Sequence, residues 1–350
     1  MSRQPSVAII GGGISGLTCA TALRGMIDKV KVFEKSIFPG GRVSRFRAGE
    51  YEFNHGAQFF TVSNPLFWNI VCGWQTDGIV RTWDGWVVEI QNGQINNCDA
   101  ATQRFVGQPR MQIVAEALAK NCDLVTSAAI SELEKQIDGS WRLFNERGDY
   151  MGAFDVVIIA TAADQVSQLC RDIPEISDAA DSVDMTACWS GMFAFEHRLD
   201  LPYEAAYIFD SALSWISRHQ NSDSTGGPDC WVVHATPEWS LQYSASFRGR
   251  VMHALLDAFE TAVDIKNMKP VSSSVHCWKH AVPINPINVD CLFSEGNLIG
   301  ACGDWCTAPR IEGAVLSGFS MADRIMKYVH KINTNSAQSN QNTDRHGRIA

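Results

Sequence analysis

Apolar residues fall along this chain in two kinds of run. Val7–Ile10 and most of Phe154–Thr161 are short, unbroken and rich in Val and Ile. They read as buried strands, the second buried on both faces as strands of a parallel sheet are. Val30–Phe33 is a further strand candidate. Elsewhere the apolar positions recur every three or four residues. Met111, Val114, Ala115, Leu118 and Ala119 do so within Pro109–Lys120, and Val251, Leu255, Ala258, Phe259 and Ala262 within Gly249–Val263. That spacing predicts amphipathic helices. Leu17–Arg24 also reads as a helix, directly after the first strand. Further strands are expected at Gly78–Trp83, Trp86–Ile90, Asp123–Val125, Ile130–Leu133, Trp141–Asn145, Asp149–Phe154, Cys188–Phe195, Cys230–Ala235 and Leu298–Cys302. Turns at Asn92-Gly93, Asp138-Gly139 and Arg147-Gly148 separate several of them. A further helix is expected around Asp164–Asp172, and the last helix is expected to run through Lys327. The polar stretch Asn221–Pro228 reads as an exposed connection, and the Asn/Ser/Gln-rich tail from residue 332 to 350 as disordered. The alternation of strand and helix predicts an α/β fold.

The first strand runs into Gly11-Gly12-Gly13-Ile14-Ser15-Gly16, which contains G-x-G-x-x-G. Gly11 permits a tight turn, Gly13 lets backbone approach a pyrophosphate, and Gly16 lets helix and strand pack closely. The helix that follows presents unpaired N–H groups and its positive dipole end to phosphates. Glu34 closes the second strand about 20 residues further on, where a carboxylate can accept hydrogen bonds from ribose hydroxyls. Phe38-Pro39-Gly40-Gly41-Arg42 follows. Its paired glycines can expose backbone N–H groups, and its arginine offers a charged fork to a pyrophosphate.

Composition narrows the partners. The chain has 350 residues and a net charge of −9, which argues against nucleic acid or an anionic membrane surface as the main partner. No apolar run is long enough to span a bilayer. The 11 cysteines are scattered, with no C-x-x-C. Without a secretion signal they predict free thiols in a reducing cytoplasm, and no metal site.

Gly11–Gly16, Glu34 and Gly40-Gly41-Arg42 together resemble the FAD-binding front end of the flavin amine oxidase superfamily. Asn54-His55-Gly56-Ala57-Gln58-Phe59-Phe60 resembles the Asp-x-Gly-Ala-Gln-aromatic signature of renalase and its bacterial relatives, with Asn54 in place of the aspartate. The strand Phe154–Thr161 resembles the superfamily's Asp-apolar-run-Ala-Thr motif. His276-Cys277-Trp278-Lys279-His280-Ala281-Val282-Pro283 resembles that family's His-Arg-Trp-x-x-Ala-x-Pro stretch, with Cys277 in place of the arginine. Gly303-Asp304 with Ile311-Glu312-Gly313-Ala314 resembles the superfamily's closing motif.

The resemblance implies a Rossmann-like FAD domain of the glutathione-reductase/amine-oxidase type, with an inserted mixed-sheet α+β substrate domain. The FAD domain is expected over residues 1–60, 106–163 and 290–331, and the substrate domain over 61–105 and 164–289. Contacts to non-covalent FAD are implied for Gly11, Gly13, Ile14, Ser15, Gly16, Glu34, Lys35, Gly41, Arg42, Gly56, Ala57, Gln58, Phe59, Asp304, Glu312, Gly313 and Ala314. Gly313 and Ala314 would direct N–H groups at the flavin, and their helix end would stabilise reduced flavin. His276, Lys279 and His280 are the substrate-facing candidates, although strand alternation puts His276, Trp278 and His280 on one face and Cys277 and Lys279 on the other.

Three functions stay open. A renalase-like oxidase would take hydride from 2- or 6-dihydronicotinamide dinucleotides to flavin N5, with dioxygen as acceptor and hydrogen peroxide as product. No strong acid or base is then needed, in keeping with the lack of a clear triad or paired carboxylates. A second member of the superfamily would oxidise an amine or desaturate a carbon chain, and Trp278 and Phe59 could cage an amine. A third possibility is a protein that holds FAD without turnover.

Overall fold

A computed structural model describes residues 4–98, 102–219 and 228–346. The predicted loop at Asn221–Pro228 lies almost wholly outside the described residues. The chain divides into two compact units. The first comprises residues 1–39, 118–183 and 285–350, and the second residues 40–117 and 184–284. The cuts depart from the domains expected from sequence. Residues 40–60 and 106–117 belong with the second unit, and 164–183 and 285–289 with the first.

The first unit is built on a six-stranded sheet. Its order is Asp123–Val125, Val30–Phe33, Val7–Ile10, Val156–Ile159, Ile299–Ala301, Leu292–Ser294. All neighbours are parallel except the last pair. Val7–Ile10 lies in the interior of this sheet and is no more than 4% exposed at any residue, so its unbroken apolar run has two buried faces to fill. Each such side chain contributes about 1.5–3 kcal/mol by leaving water. The chain leaves Val7–Ile10 towards Val30–Phe33 on one side and later returns through Val156–Ile159 on the other. The order of strands therefore reverses at the first strand's carboxyl end, where open α/β sheets form their ligand crevice. A three-stranded antiparallel meander, Ile130–Lys135, Trp141–Asn145 and Tyr150–Phe154, accompanies the sheet. Gly139 (φ +85°) and Gly148 (φ +80°) take up its tight turns. The strands predicted over Asp149–Phe154 and Phe154–Thr161 are Tyr150–Phe154, which ends the meander, and Val156–Ile159 in the sheet, with Asp155 between them. The Asp155 carboxylate accepts both the backbone N–H and the hydroxyl of Ser6 at 2.7 Å.

The closing helix runs Ile311–His346, well beyond the predicted end at Lys327, and the segment read as a disordered tail is helical as far as His346. Lys331 pairs with Glu295 at 2.9 Å and the Thr334 hydroxyl donates to the His330 carbonyl. Extending an existing helix avoids the cost of nucleation, so a polar continuation can follow from a packed stem. Pro174–Asp181 is a helix that periodicity did not single out.

The second unit carries a seven-stranded sheet. Its order is Ser272–Pro283, Met185–Phe195, Asp229–Ala235, Leu213–Arg218, Ala205–Ile208, Val87–Gln91, Gln94–Asn97. The helix Arg248–Val263 buries Val251, Leu255 and Phe259 against it, the face expected from spacing. Phe259 lies 6.3 Å from Phe193 and 5.4 Å from Trp231 between ring centres. Pro65–Thr76 is a helix where only strands and turns were expected. Its start is encoded, with Asn64 capping the Leu66 N–H and Pro at the first turn. A buried ion pair, Arg218 with Asp229 at 2.8 Å, ties two neighbouring strands, and Glu204 also meets Arg218 at 2.9 Å. The cysteines among the described residues are free. Among the described residues no helix is long and apolar enough to cross a membrane, and no group of His, Cys, Asp and Glu could hold a metal ion.

Candidate functional site

The glycine loop of the first unit is shaped by three different constraints. Gly11 has φ +113°, a region closed to most side chains, and a Cβ there would meet the Ala160 carbonyl oxygen at 2.5 Å. At Gly16 a Cβ would overlap the Gly11 carbonyl oxygen and press on Ala160 Cβ at 3.0 Å and Ile9 Cγ2 at 3.2 Å. Gly16 is thus glycine for packing of helix on strand. Gly13 differs. It caps the helix Ile14–Leu23 in ordinary extended backbone (φ −80°, ψ −179°), and a Cβ on it would meet nothing within 4 Å. The open space lies at the helix N-terminus, where first-turn N–H groups lack intrahelical acceptors and no acid stands in the first turn. Glu34 is 6% exposed. One of its oxygens accepts the Gly12 N–H at 2.8 Å and the other the Ser36 N–H at 2.7 Å. The loop and the carboxylate therefore hold each other, and the remaining carboxylate lone pairs can take ribose hydroxyls. Ile14 and Ser15 are buried in the first turn, while Lys35 is exposed.

The closing motif lies in the same unit. Asp304 is 4% exposed just past the strand Ile299–Ala301, and Glu312 is 8% exposed in the first turn of the closing helix. The Trp305 indole donates to the Thr161 carbonyl at 3.1 Å, and the Ser317 hydroxyl donates to the Asp290 carbonyl while accepting the Gly303 N–H. These bonds fix the turn around Asp304. The Ala314 N–H is already bonded to the Arg310 carbonyl at 3.0 Å, so it is not available to a flavin as expected. Gly313 precedes it in the first turn, where N–H groups have no acceptor within the helix itself.

The remaining candidates lie in the second unit. The Arg42 carbonyl accepts the Ala57 N–H at 2.9 Å, and a Cβ on Gly56 would overlap that carbonyl oxygen. The Arg42 guanidinium donates one N–H to the Ala281 carbonyl at 3.0 Å, so part of its fork is committed to the strand Ser272–Pro283. Gly41, at φ +54°, is exposed at the start of a short 3-10 turn. His55 packs on Trp278 with ring centres 4.6 Å apart and on His276 at 4.9 Å, and Trp278 and His276 are 4.4 Å apart. His276 and Trp278 therefore share a face, as alternation predicts, and Lys279 is exposed. The His55 carbonyl accepts the Trp278 indole N–H at 3.1 Å and lies 3.0 Å from His234 Nε2. Ser190 is fully buried in the middle strand, cross-strand from both His234 and His276. Burial first, and then the neighbouring His276, push His55 down to about 3, against a hydrogen bond to the Ser44 backbone. Burial likewise lowers His234 and His276. The cluster is uncharged at neutral pH.

Gln58 was expected to face ring or substrate, and its carbonyl oxygen accepts the Trp215 indole N–H at 3.0 Å. Phe59 stands between Trp83 and Trp215, at 5.6 and 5.4 Å, with the Arg104 guanidinium 5.7 Å over its ring. Asn54 bridges two segments: its N–H donates to His219 Nδ1 at 3.3 Å and its side-chain oxygen accepts the Met111 N–H at 3.2 Å. Burial pushes His219 down to about 4. His219, Trp215, Arg104 and Ser190 escaped the sequence reading, and no motif or spacing marks them.

A family model described as an NAD(P)-binding Rossmann-like domain matches residues 9–71. The fold is shared along nearly the whole chain with several solved oxidase structures. A structure from Exiguobacterium sp. 255-15, provisionally called a protoporphyrinogen oxidase, has a TM-score of 0.74 at 11% identity, covering 92% of this chain and 98% of that one. Cyclohexylamine oxidase from Brevibacterium oxydans IH-35A has a TM-score of 0.73 at 12% identity, covering 93% of this chain and 100% of that one. Putrescine oxidase bound to putrescine has a TM-score of 0.71 at 13% identity, covering 93% and 99%. The chain thus has an α/β fold with a Rossmann-type dinucleotide loop, in the overall architecture of these oxidases.

Proposed function

We propose that the protein is an FAD-dependent oxidoreductase of the flavin amine oxidase type. The observation that carries this reading is the first unit's loop, where the space before Gly13 is open, a buried Glu34 closes the second strand and a second helix start bears Glu312 and Gly313. An open space at a helix N-terminus fits a pyrophosphate, the carboxylate fits an adenosine ribose, and a first-turn N–H at Gly313 fits a flavin carbonyl. When bound, FAD supplies the two-electron acceptor that no side chain of this protein can. In this proposal the first unit holds the nucleotide portion and the second recognises the substrate.

The finer reading is oxidation of 2- or 6-dihydronicotinamide dinucleotides. The ring loses a hydride, a solvent proton joins it, and dioxygen takes both to become hydrogen peroxide. A dihydropyridine needs no base to give up hydride, and the neutral His55, His276 and His234 cluster offers no charged acid at pH 7. The second reading, amine oxidation, is favoured by the shared fold with two amine oxidases and by the aromatic cluster of Phe59, Trp83 and Trp215.

The test is anaerobic bleaching of the flavin absorption band by the 2- and 6-dihydro isomers, by ordinary NADH, and by putrescine and cyclohexylamine. Fast bleaching by the isomers alone is expected. Bleaching by an amine would select the second reading, and a protein that releases no flavin on heating would remove both.

A further inference from the structure

A pocket within the second unit, of about 30 Å³, is lined by Asn54, Gln58, Trp83, Ser217, Arg218 and His219 among others. That is room for about two waters, or for a planar head group the size of a carboxylate. Several of its polar groups are held in one orientation by hydrogen bonds. Gln58 Oε1 accepts the Trp215 indole N–H, Asn54 Oδ1 accepts the Met111 N–H, and His219 Nδ1 accepts the Asn54 N–H. Each of those partners is an N–H that can only donate, so neither amide can be turned over and the neutral imidazole must carry its proton on Nε2. One lone pair on each amide oxygen and the lone pair of the imidazole Nδ1 are thereby engaged inside the protein, which fixes where the amide N–H groups point. Gln58 Nε2 and Trp83 Nε1 are buried with no acceptor among the described residues, and Trp83 is only 6% exposed. No Asp or Glu lines the pocket. The Arg218 charge is matched by Asp229 and Glu204, which pair with it. Buried donors without acceptors are costly and rare, so a group that supplies acceptors is the occupant such a lining selects.

We infer that this pocket receives the oxygen of a substrate's planar acyl head group, a carboxylate or carboxamide, and rejects an ammonium group. The inference rests on the reading of the second unit as the substrate-recognising part. It deepens that reading: a nicotinamide ring carries such an oxygen, whereas a simple alkylamine carries only donors.

The experiment is binding by calorimetry and tryptophan fluorescence on the purified, flavin-loaded protein, with benzoate, nicotinamide and benzylammonium as probes. Benzoate or nicotinamide is expected to bind saturably, at least ten-fold more tightly than benzylammonium, and the tighter of the two identifies the head group. Trp83→Phe keeps an aromatic ring and removes the N–H. It should weaken that binding about five- to ten-fold at unchanged flavin content. Benzylammonium binding as tightly as the acyl probes, no probe binding at all (water alone in the pocket), or no effect of the substitution would overturn the inference. Flavin released from the same sample is measured separately, so failure of the cofactor reading shows as missing flavin and failure of this one as missing discrimination.

Discussion

Two glycines three residues apart make a sharp test, because the same substitution should do opposite things. At Gly13 an alanine Cβ would enter open space, in backbone that alanine adopts freely. Alanine is a poorer helix cap than glycine, a loss of up to about 1 kcal/mol. It also restricts the unfolded chain, a gain of about 0.4–1 kcal/mol. The two nearly cancel, so the melting temperature of flavin-free Gly13→Ala should stay within about 3 °C of the parent. The methyl group would nevertheless occupy the space assigned to the pyrophosphate. Flavin content should fall at least ten-fold, and added FAD should no longer raise the melting temperature as it does for any ligand of the native state. At Gly16 the Cβ would overlap the Gly11 carbonyl oxygen and crowd Ala160 and Ile9, all fixed parts of the sheet and loop. Relief requires the helix to move off the strand, at a cost of about 3 kcal/mol or more. Gly16→Ala should therefore melt about 6–12 °C lower even without flavin. Differential scanning fluorimetry with and without FAD, beside flavin release by heat, reads both. A Gly13→Ala protein that purifies fully yellow, or a Gly16→Ala protein that melts like the parent, would refute the reasoning.

Glu34→Gln should lose flavin and stability together. Its amide nitrogen must face either the Gly12 or the Ser36 N–H, leaving a donor unpaired at about 1–3 kcal/mol; unchanged flavin affinity in a titration would count against it. Stability should fall with acid well before the carboxylates titrate. The folded protein refuses protons at His55 and His219 until about 3 and about 4, whereas the unfolded chain takes them below about 6.5. Stability is thus complete above pH 6.5 and lost as pH falls towards 4, at about 2–3 kcal/mol per pH unit for the pair. Urea midpoints between pH 7 and 4.5 measure this, and His219→Gln should lower the slope by about 1.4 kcal/mol per pH unit. Among the candidates on Ser272–Pro283, Lys279→Ala should change anaerobic flavin reduction less than about two-fold and His276→Ala about ten-fold or more, since only His276 packs into the ring cluster. Stopped-flow rates in the reverse order would exclude His276 as the substrate-facing group.

The first unit was largely legible. Its inner strands Val7–Ile10 and Val156–Ile159 are buried on both faces, so their apolar runs are continuous, and its loop chemistry is local: glycines, a helix start and a carboxylate within one strand–helix–strand segment. Asp123–Val125 and Trp141–Asn145 fall where patterning puts them. The second unit was read less well. Pro65–Thr76 carried a cap and an N-terminal proline, but its tryptophans lie among strand-like residues and blur the helical period. Ala205–Ile208 and Leu213–Arg218 are short strands whose partners lie far along the chain. The donor-lined pocket could not be found from spacing at all. Asn54 meets His219 across 165 positions and Met111 across 57, and Gln58 meets Trp215 across 157. Such pairings exist only once the sheet has formed.

The thiols have a bearing on how long such an enzyme would last. Burial lifts Cys170, Cys188, Cys230 and Cys302 to about 12, Cys291 to about 11, and Cys19 and Cys306 well above the ordinary value. Peroxide is attacked by thiolate, and a thiol titrating near 12 is ionised only about one part in 10⁵ at pH 7. The activity proposed above releases hydrogen peroxide at every turnover. A chain this rich in cysteine would be expected to oxidise itself. By keeping these sulfurs buried or half-buried and protonated, it makes them poor targets for its own product, and sulfenic acid should accumulate at them only after the fold has opened.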